Sequence, residues 1–278
     1  MDIAASFPVT VTNLPTQVQP DGDALAAAPP GAAAVRPTKI LVVDVGGTKI
    51  KILASGQTEP RKAASGKGLT PTKMAQKVKE LADGWEYEGV SIGYPGLVGI
   101  HGPRSEPGNL GPGWVGFNFA AALDRPVRII NDAAMQALGS YEGGRMLFLG
   151  LGTGLGSALI AENAILPLEL GQLPHKSGET LGHVLGRKGL DSLGKEAWLE
   201  AVQEALTYLT LAFSTDYVVL GGGNAKKLKG LVPGIRLGHN LTAFRGGLRL
   251  WNIEDVPTMA AEGDHSAPPR AASDWRMI

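Results

Sequence analysis

The hydrophobic residues of this chain fall into short continuous runs bounded by glycines, a pattern typical of strands buried on both faces of a sheet. Such runs predict strands at 40–45, 89–93, 127–130, 146–151 and 217–220. Apolar residues at helical spacing predict helices at 71–81, 133–141 and 194–213, and the lysine-rich segment 226–231 is also predicted to be helical. Alternating strands and helices predict an α/β protein.

Two of these strands are followed by a glycine turn and a returning strand. The run 40–45 returns at 50–53 and the run 146–151 returns at 157–161, which predicts two β-hairpins and therefore mixed sheets. Hairpin, helix and strand occur once on each side of residue 145. We therefore expect two similar α/β domains, at 37–144 and 145–256, that face a central cleft. The proline-containing ends, 1–36 and 257–278, lack a sustained period and are expected to be weakly ordered tails.

The composition excludes several classes of function. The 26 basic and 26 acidic residues balance, so no global charge favours a nucleic acid or an anionic membrane as partner. Cysteine is absent, which excludes disulfides and thiolate metal sites, so no zinc is expected. No apolar run is long enough to span a bilayer, and residues 1–10 lack the basic start of a secretory signal. We therefore expect a cytoplasmic protein.

The turn of the first predicted hairpin carries groups that suit a phosphate. Gly46 and Gly47 allow backbone N–H groups to approach phosphate oxygens, while Thr48 and Lys51 add a hydroxyl donor and a positive charge. Asp44, near the end of the preceding strand, is a candidate ligand for Mg²⁺, mostly through water. An ordinary glycine hairpin would also account for these residues.

The second predicted hairpin has Gly152, Thr153 and Gly154 at the matching position. No helix follows this turn, which argues against a dinucleotide-binding fold. A third glycine turn, with Gly222 and Gly223, follows the strand 217–220. It would let a flat base or a phosphate approach the backbone, although a tight turn between a strand and a helix also explains it. One such turn is weak evidence, whereas two at matching positions predict a phosphate site.

Three polar residues are candidates for chemistry at the acceptor. Asp132 follows the strand 127–130, and open α/β sheets place catalytic groups at the carboxyl ends of their strands. Taken alone it is better explained as a helix N-cap, but beside two phosphate loops it is predicted to accept the proton of an alcohol during phosphoryl transfer. Asn109 and Glu169 lie in turns and suit pairs of sugar hydroxyls, unless they are ordinary turn residues.

In their order and spacing these motifs resemble those of the ROK sugar kinases, over residues 39–251. The residues that carry the resemblance are Asp44-x-Gly46-Gly47-Thr48-x-x-Lys51, Pro95-Gly96, Asn131-Asp132, Gly152-Thr153-Gly154-x-Gly156 and Gly221-Gly222-Gly223. Within the family, the segment that ends in Glu169-Leu170-Gly171 and the lysine-rich segment after the third glycine turn are most similar to the bacterial polyphosphate/ATP glucokinases.

The resemblance implies an actin-like (ribonuclease H-like) fold with glucose in the cleft between two α/β domains. It implies transfer of a phosphoryl group from ATP or inorganic polyphosphate to the 6-hydroxyl, with Mg²⁺ present and Asp132 as the general base. Asn109, Asn131, Asp132, Glu169 and Gln172 would contact the sugar. The phosphates would be lined by residues of the glycine turns, namely Asp44, Gly46, Gly47, Thr48, Lys51, Gly152, Thr153, Gly154, Gly222 and Gly223. Dimers are common in the family, so a homodimer is an expected form.

The chain departs from the family pattern at Gln172, where most ROK kinases have the histidine of Glu-x-Gly-His. One sugar contact would be altered, which leaves the hexose open. The family's cysteine cluster for zinc is missing. ROK repressors carry an N-terminal DNA-binding domain that we do not expect residues 1–36 to form. The remaining alternatives are a catalytically inactive sugar-binding protein and a kinase for another hexose or an N-acetylhexosamine. A polyphosphate groove could use Lys62, Lys67, Lys73 and the lysines of 226–229.

Overall fold

The computed structural model describes residues 37–229, 232–239, 241–253 and 275–277. Its first part contains, in chain order, β1 (Ile40–Val45), β2 (Lys49–Ala54), β3 (Arg61–Ala64), α1 (Pro71–Leu81), β4 (Gly89–Tyr94), β5 (Val98–Gly99), β6 (Gly102–Pro103), α2 (Phe119–Leu123), β7 (Val127–Asn131) and α3 (Asp132–Ser140). Its second part contains β8 (Met146–Leu151), β9 (Leu155–Ala161), β10 (Ala164–Leu168), α4 (Leu181–Leu185), α5 (Arg187–Leu193), α6 (Lys195–Phe213), β11 (Tyr217–Gly221), β12 (Ile235–Leu237), α7 (Thr242–Arg249) and β13 (Arg276–Met277).

Eleven of these strands form two mixed sheets with the same central topology, while β5 and β6 pair separately as a two-stranded sheet. The first sheet has the order β3-β2-β1-β4-β7 and the second the order β12-β11-β8-β9-β10-β13. In the first, β1, β2 and β3 are antiparallel neighbours while β1, β4 and β7 are parallel. In the second, β8, β9 and β10 are antiparallel while β8, β11 and β12 are parallel. The two glycine hairpins, β1–β2 and β8–β9, therefore occupy equivalent positions, and the prediction of mixed sheets is confirmed.

The continuous hydrophobic runs form central strands, as their pattern predicts. Every residue of β1 and of β4 is buried, because helices cover both faces of the first sheet. On one face lies α1, which begins with Pro71 at its first position and has the Thr70 hydroxyl as its cap, accepting from the Lys73 N–H at 3.4 Å. The predicted helix and cap are therefore confirmed.

Helices α3 and α7 lie between the two sheets, and their shared core includes residues of both sheets, such as Val42 and Phe148. The two helices touch through their backbones. A β-carbon at Gly139 of α3 would overlap the carbonyl of Thr242, and one at Gly246 of α7 would overlap a carbonyl of α3. Only glycine permits this close approach, so the position of α3 is fixed from both sides.

The structure corrects two predictions near the ends of elements. The helix predicted at 226–231 is wrong for its described residues 226–229, because the chain there forms only a 3₁₀ turn at Ala225–Lys227. Leu228 is then extended and buries its side chain in the core of the second sheet. The tail predicted at 257–278 does not hold for its last residues, where Trp275 packs edge-on against Tyr141 and β13 pairs with β10. Residues 1–36 and 254–274 lie outside the described residues.

None of the helices in the described ranges combines the length and the apolar character needed to cross a membrane.

Candidate active site

Asp132 lies at the carboxyl edge of the first sheet, level with the first glycine hairpin. Across the parallel strands, Asp44 is in register with Gly93, and Gly93 with Ile130. Two strand spacings separate Asp44 from Ile130, which is about 10 Å of sheet. A β-carbon at Gly93 would lie 3.5 Å from the Cα of Asp132 and would overlap Met135. This glycine therefore lets the first turn of α3 rest directly on the sheet.

The cap of α3 is Asn131, so the alternative explanation of Asp132 as the N-cap is wrong. The Asn131 Oδ1 accepts hydrogen bonds from the N–H groups of Ala133 at 3.0 Å and Ala134 at 3.1 Å. Its Nδ2 donates to the carbonyl of Gly96 at 3.1 Å. These bonds leave one N–H of Asn131 for a ligand. Asp132, which accepts from the Ala133 N–H at 2.8 Å, is not needed as a cap.

The electrostatic setting of Asp132 suits a general base at neutral pH. Removal from water raises the pKa of Asp132, and the like charges of Asp44 and Glu169 raise it further. The hydrogen bond from the Ala133 N–H opposes the shift, and the pKa settles at about 7. Since Asp44 belongs to the first sheet and Glu169 to the segment after β10, three carboxylates from both halves of the chain share this region.

The second glycine hairpin packs against the same turn of α3. A β-carbon at Gly156 would lie 2.9 Å from the Ala133 Cβ, and a hydrogen bond of 3.1 Å from the Gly152 N–H to the Gly154 carbonyl closes the turn. A β-carbon at Gly152 or Gly154 would meet no protein atom within 4 Å, and neither residue has a positive φ. Nothing within the described chain therefore requires glycine at these two positions, which leaves room for a ligand.

The first glycine hairpin is closed by a hydrogen bond of 3.0 Å from the Gly46 N–H to the Lys49 carbonyl. Behind it, the Lys51 ammonium lies 2.9 Å from a carboxylate oxygen of Asp44, which is only 8% exposed. From their sequence positions Lys51 was predicted to contact a phosphate and Asp44 a metal ion, and their ion pair was not predicted. The side chain of Thr48, at the tip, is exposed.

Asn109 packs against the first glycine hairpin. A β-carbon at Gly47 would lie 3.3 Å from the Asn109 Cβ, and the exposed Asn109 amide forms no hydrogen bond with the described residues. The loop that carries it is held by Glu106, whose carboxylate accepts hydrogen bonds from three backbone N–H groups. These bonds lower the pKa of Glu106, with Trp114 contributing most, and their donors are Gly113 (2.9 Å), Trp114 (3.1 Å) and Val115 (3.2 Å).

Glu169 is fixed by a residue that sequence analysis missed. The buried Ser157 hydroxyl donates to the Leu168 carbonyl at 2.8 Å and accepts from the Leu170 N–H at 3.1 Å, on either side of Glu169. Partial loss of water raises the pKa of Glu169, although its side chain remains exposed. The exposed Gln172 follows one turn later. The only sequence signal for Ser157 was its place directly after the glycines of the second hairpin.

The third glycine turn packs on the second hairpin. Gly222 has a φ of +82°, and a β-carbon there would lie 2.5 Å from the Leu151 carbonyl. The buried Asn224, which sequence analysis did not single out, donates from its Nδ2 to the Gly152 carbonyl at 2.9 Å. A β-carbon at Gly223 would meet no atom within 4 Å. Two of the three predicted glycine turns are thus in direct contact.

Arg187 adds an unpredicted positive charge next to the second hairpin. Its backbone N–H contacts the carbonyls of Gly152 at 3.0 Å and Thr153 at 3.2 Å, and its side chain is exposed. In the sequence it is an ordinary basic residue at the start of a short helix, so no local pattern could have indicated its position.

No protein-family profile matches the chain. The polyphosphate glucokinase of Mycobacterium tuberculosis (strain CDC 1551 / Oshkosh) is 28% identical over 217 residues, which cover 69% of this chain and 80% of that relative. The polyphosphate glucokinase of Mycobacterium leprae (strain TN) is 27% identical over 213 residues, which cover 69% of this chain and 65% of that relative.

Solved structures share the fold. The inorganic polyphosphate/ATP-glucomannokinase of Arthrobacter sp. strain KM has a TM-score of 0.65 at 24% identity, over 75% of this chain and 96% of that one. A ROK family glucokinase of Streptomyces griseus, in complex with glucose and AMPPNP, has a TM-score of 0.55 at 17% identity, over 75% and 97%. The predicted actin-like fold is therefore confirmed. Together, the ordered motifs, the two equivalent sheets and these relatives show that the chain is similar to the ROK family of sugar kinases.

Proposed function

We propose that this protein transfers a phosphoryl group from inorganic polyphosphate or ATP to the 6-hydroxyl of glucose or a related hexose. The observation that carries the proposal is the setting of Asp132. Its carboxyl group, with a pKa raised to about 7, lies at the first turn of α3, which rests on Gly93 of the first sheet and on Gly156 of the second glycine hairpin.

In the proposed reaction the sugar hydroxyl oxygen forms a bond to the terminal phosphorus while the bond from that phosphorus to the rest of the donor breaks. The hydroxyl proton passes to Asp132, which is ionised above pH 7 and holds a proton well because its pKa is raised. Backbone N–H groups of the two hairpins and the Lys51 ammonium stabilise charge on the transferred group. Arg187 would add a further positive charge at the second hairpin.

Magnesium fits this site on grounds of charge. Asp44, Asp132 and Glu169 interact electrostatically, and Lys51 is the one cation bonded to any of them among the described residues. The described part of the chain contains no group of three or more His, Cys, Asp or Glu side chains that could hold a metal by itself. However, Mg²⁺ usually binds one or two carboxylates together with phosphates and water. Asp44 would hold it, mostly through water, and when bound it would neutralise charge on the donor phosphates.

The sugar would contact Asn109 beside the first glycine hairpin and Glu169 near Asp132. Both side chains are exposed and mounted on turns that are themselves held rigidly, by Glu106 and by Ser157. Asn131 would contribute its one remaining N–H, and Gln172 would replace the contact of the family histidine. The two α/β halves, 37–144 and 145–256, would act as the domains that enclose the sugar.

A kinase for another hexose or for an N-acetylhexosamine is the second candidate, and Gln172 is the residue that favours it. A sugar-binding ROK protein without catalysis is the third. The presence of Asp132 and its raised pKa weigh against this last candidate. An ionised carboxylate in such a setting lowers the stability of the folded protein, and a protein without catalysis would gain nothing from it.

The experiment is to follow phosphorylation of glucose, mannose and N-acetylmannosamine by ³¹P NMR, with long-chain polyphosphate or ATP as donor and Mg²⁺ present. We expect a 6-phosphate of glucose or mannose with at least one donor. Turnover of only N-acetylmannosamine would select the second candidate. Binding of a hexose in calorimetry without product from either donor would contradict the proposal and select the third.

A further inference from the structure

Three lysines share one face of the hairpin that follows the first phosphate loop. Lys49 and Lys51 alternate along β2, and Lys62 on β3 is directly opposite Lys51 in the antiparallel register. Directly opposed residues of an antiparallel pair point to the same face, as do residues two apart along a strand. We call these three residues the lysine face.

The orientation of the lysine face is set by the core. Ile50 and Ile52, which alternate with the lysines along β2, are fully buried on the side of the sheet that packs against α1. A shift of register by one residue would expose both isoleucines. The lysine face must therefore lie on the side away from α1, which is the side of Asp44 and of the cleft.

The lysine face carries positive charge that the described residues do not neutralise. Lys51 is bonded to Asp44 at 2.9 Å, whereas the exposed Lys49 and Lys62 form no ion pair or side-chain hydrogen bond with the described residues. Like charges directly opposite one another destabilise an antiparallel pair. An anionic ligand would convert this repulsion into attraction.

The charged residues of this face form a row across the strands of the first sheet. Asp44 on β1, Lys51 on β2 and Lys62 on β3 are successive cross-strand neighbours, and β3 is the outer strand of the first sheet. A line of charge therefore runs from the phosphate loop to the edge of the sheet. The third glycine turn, where a nucleotide base would lie, belongs to the other sheet. The two kinds of donor would thus leave the transfer site along different surfaces.

We infer that the lysine face binds the untransferred part of a polyphosphate chain. This inference rests on the proposed function and names its donor class. When the terminal phosphoryl group forms its bond to the sugar oxygen, the bond to the next phosphate breaks, and the shortened chain keeps that bridging oxygen and stays on Lys51 and Lys62. The proton of the sugar hydroxyl goes to Asp132.

Most of the lysines predicted from the sequence to line a polyphosphate groove do not lie on the lysine face. Lys73 is on α1, on the opposite side of the sheet, and its ammonium donates to the Gly68 carbonyl at 3.2 Å. Lys67 lies in the loop after β3, beyond the paired residues. The lysines of 226–229 follow a strand of the second sheet. Of these candidate lysines, Lys62 alone is part of the lysine face.

The test compares Lys62→Glu, Lys62→Ala and the matched control Lys79→Ala, which removes an exposed lysine from α1 on the other side of the sheet. For each variant, kcat/KM is measured with long-chain polyphosphate and with ATP, and binding of fluorescently labelled polyphosphate is measured without sugar. We expect Lys62→Glu to lower kcat/KM for polyphosphate and the affinity for the labelled chain by about tenfold or more, since one charge contact is reversed. Lys62→Ala should reduce both values less, and added salt should weaken binding to the wild type more than to Lys62→Ala.

The outcomes separate this inference from the proposed function. Equal losses with both donors, or a loss for Lys62→Glu no larger than for Lys79→Ala, would overturn the inference and leave the kinase intact. Turnover with ATP but no turnover or binding with polyphosphate would do the same. Failure of the wild type to turn over either donor would overturn the proposed function, whereas binding of labelled polyphosphate that is lost in Lys62→Glu would still support the lysine face.

Discussion

Replacement of Asp132 by asparagine should stabilise the folded protein at neutral and alkaline pH. Asn131, and not Asp132, caps α3, and an asparagine at 132 can still accept the hydrogen bond from the Ala133 N–H. What the substitution removes is a negative charge that is shielded from water and close to Asp44 and Glu169. The gain should therefore come almost entirely from relief of this electrostatic cost.

The size of the gain follows from the pKa. Folding raises the pKa of Asp132 from an ordinary value of 3.8 to about 7. Because the folded state binds the proton more tightly, ionisation costs stability as the pH rises from about 4 to about 7, and the cost is constant above that. A shift of about three pKa units, at 1.36 kcal/mol each, corresponds to at most about 4 kcal/mol. The variant should match the wild type near pH 4 and exceed it by up to this amount at pH 8.

The assay is urea unfolding of both proteins at pH values from 4 to 9, followed by tryptophan fluorescence, with Asp191→Asn as a control at an exposed position. The difference in unfolding free energy between Asp132→Asn and the wild type should grow with pH and level off above about pH 7. Asp191→Asn should show little difference at any pH. A difference for Asp132→Asn that is independent of pH, or that falls as the pH rises, would refute the argument that the folded state raises this pKa.

Four further substitutions test the parts around Asp132. Ser157→Ala should raise the KM for the hexose more than it lowers kcat in steady-state assays, because the hydroxyl fixes the backbone on both sides of Glu169; an unchanged KM would count against that role. Glu106→Gln loses one charged acceptor oxygen of its loop and should also raise the hexose KM, whereas a change confined to the donor KM would contradict this. Gly139→Ala should lower the unfolding free energy by about 1–3 kcal/mol or more, since its β-carbon would overlap a backbone carbonyl of α7. Its counterpart Gly152→Ala should keep the melting temperature and lose affinity for the donor; a large drop in melting temperature would show that the glycine has a packing role.

The central strands and hairpin turns could be predicted because their signals are local. A run such as 40–45 needs only its own hydrophobic residues to identify a buried strand, and the glycine turn after it needs only its own sequence. The topology then brings the equivalent turns together. The strand β3, with the sequence Arg-Lys-Ala-Ala, was missed because an exposed outer strand buries few side chains and leaves no hydrophobic pattern.

Features that depend on contacts between distant segments could not be predicted. Helix α7 contains Gly246 and Gly247, which weigh against a helix by propensity, yet these glycines are what allow it to approach α3 and β1. Likewise, Asn131 and Asp132 are equally good caps in the sequence. Only the hydrogen bonds of Asn131 distinguish their roles: its Nδ2 donates to the Gly96 carbonyl, and its Oδ1 accepts from two N–H groups of α3.

The most direct test of Asp132 as the general base is the turnover of Asp132→Asn under saturating hexose and donor. Calorimetry of the same preparation measures its affinity for the hexose. We predict that kcat falls by about 10²–10⁴, as expected for loss of a positioned base, while the hexose affinity stays close to that of the wild type. Retention of wild-type kcat by this variant would contradict the account, since Asp132 is the one residue proposed to accept the proton of the sugar hydroxyl.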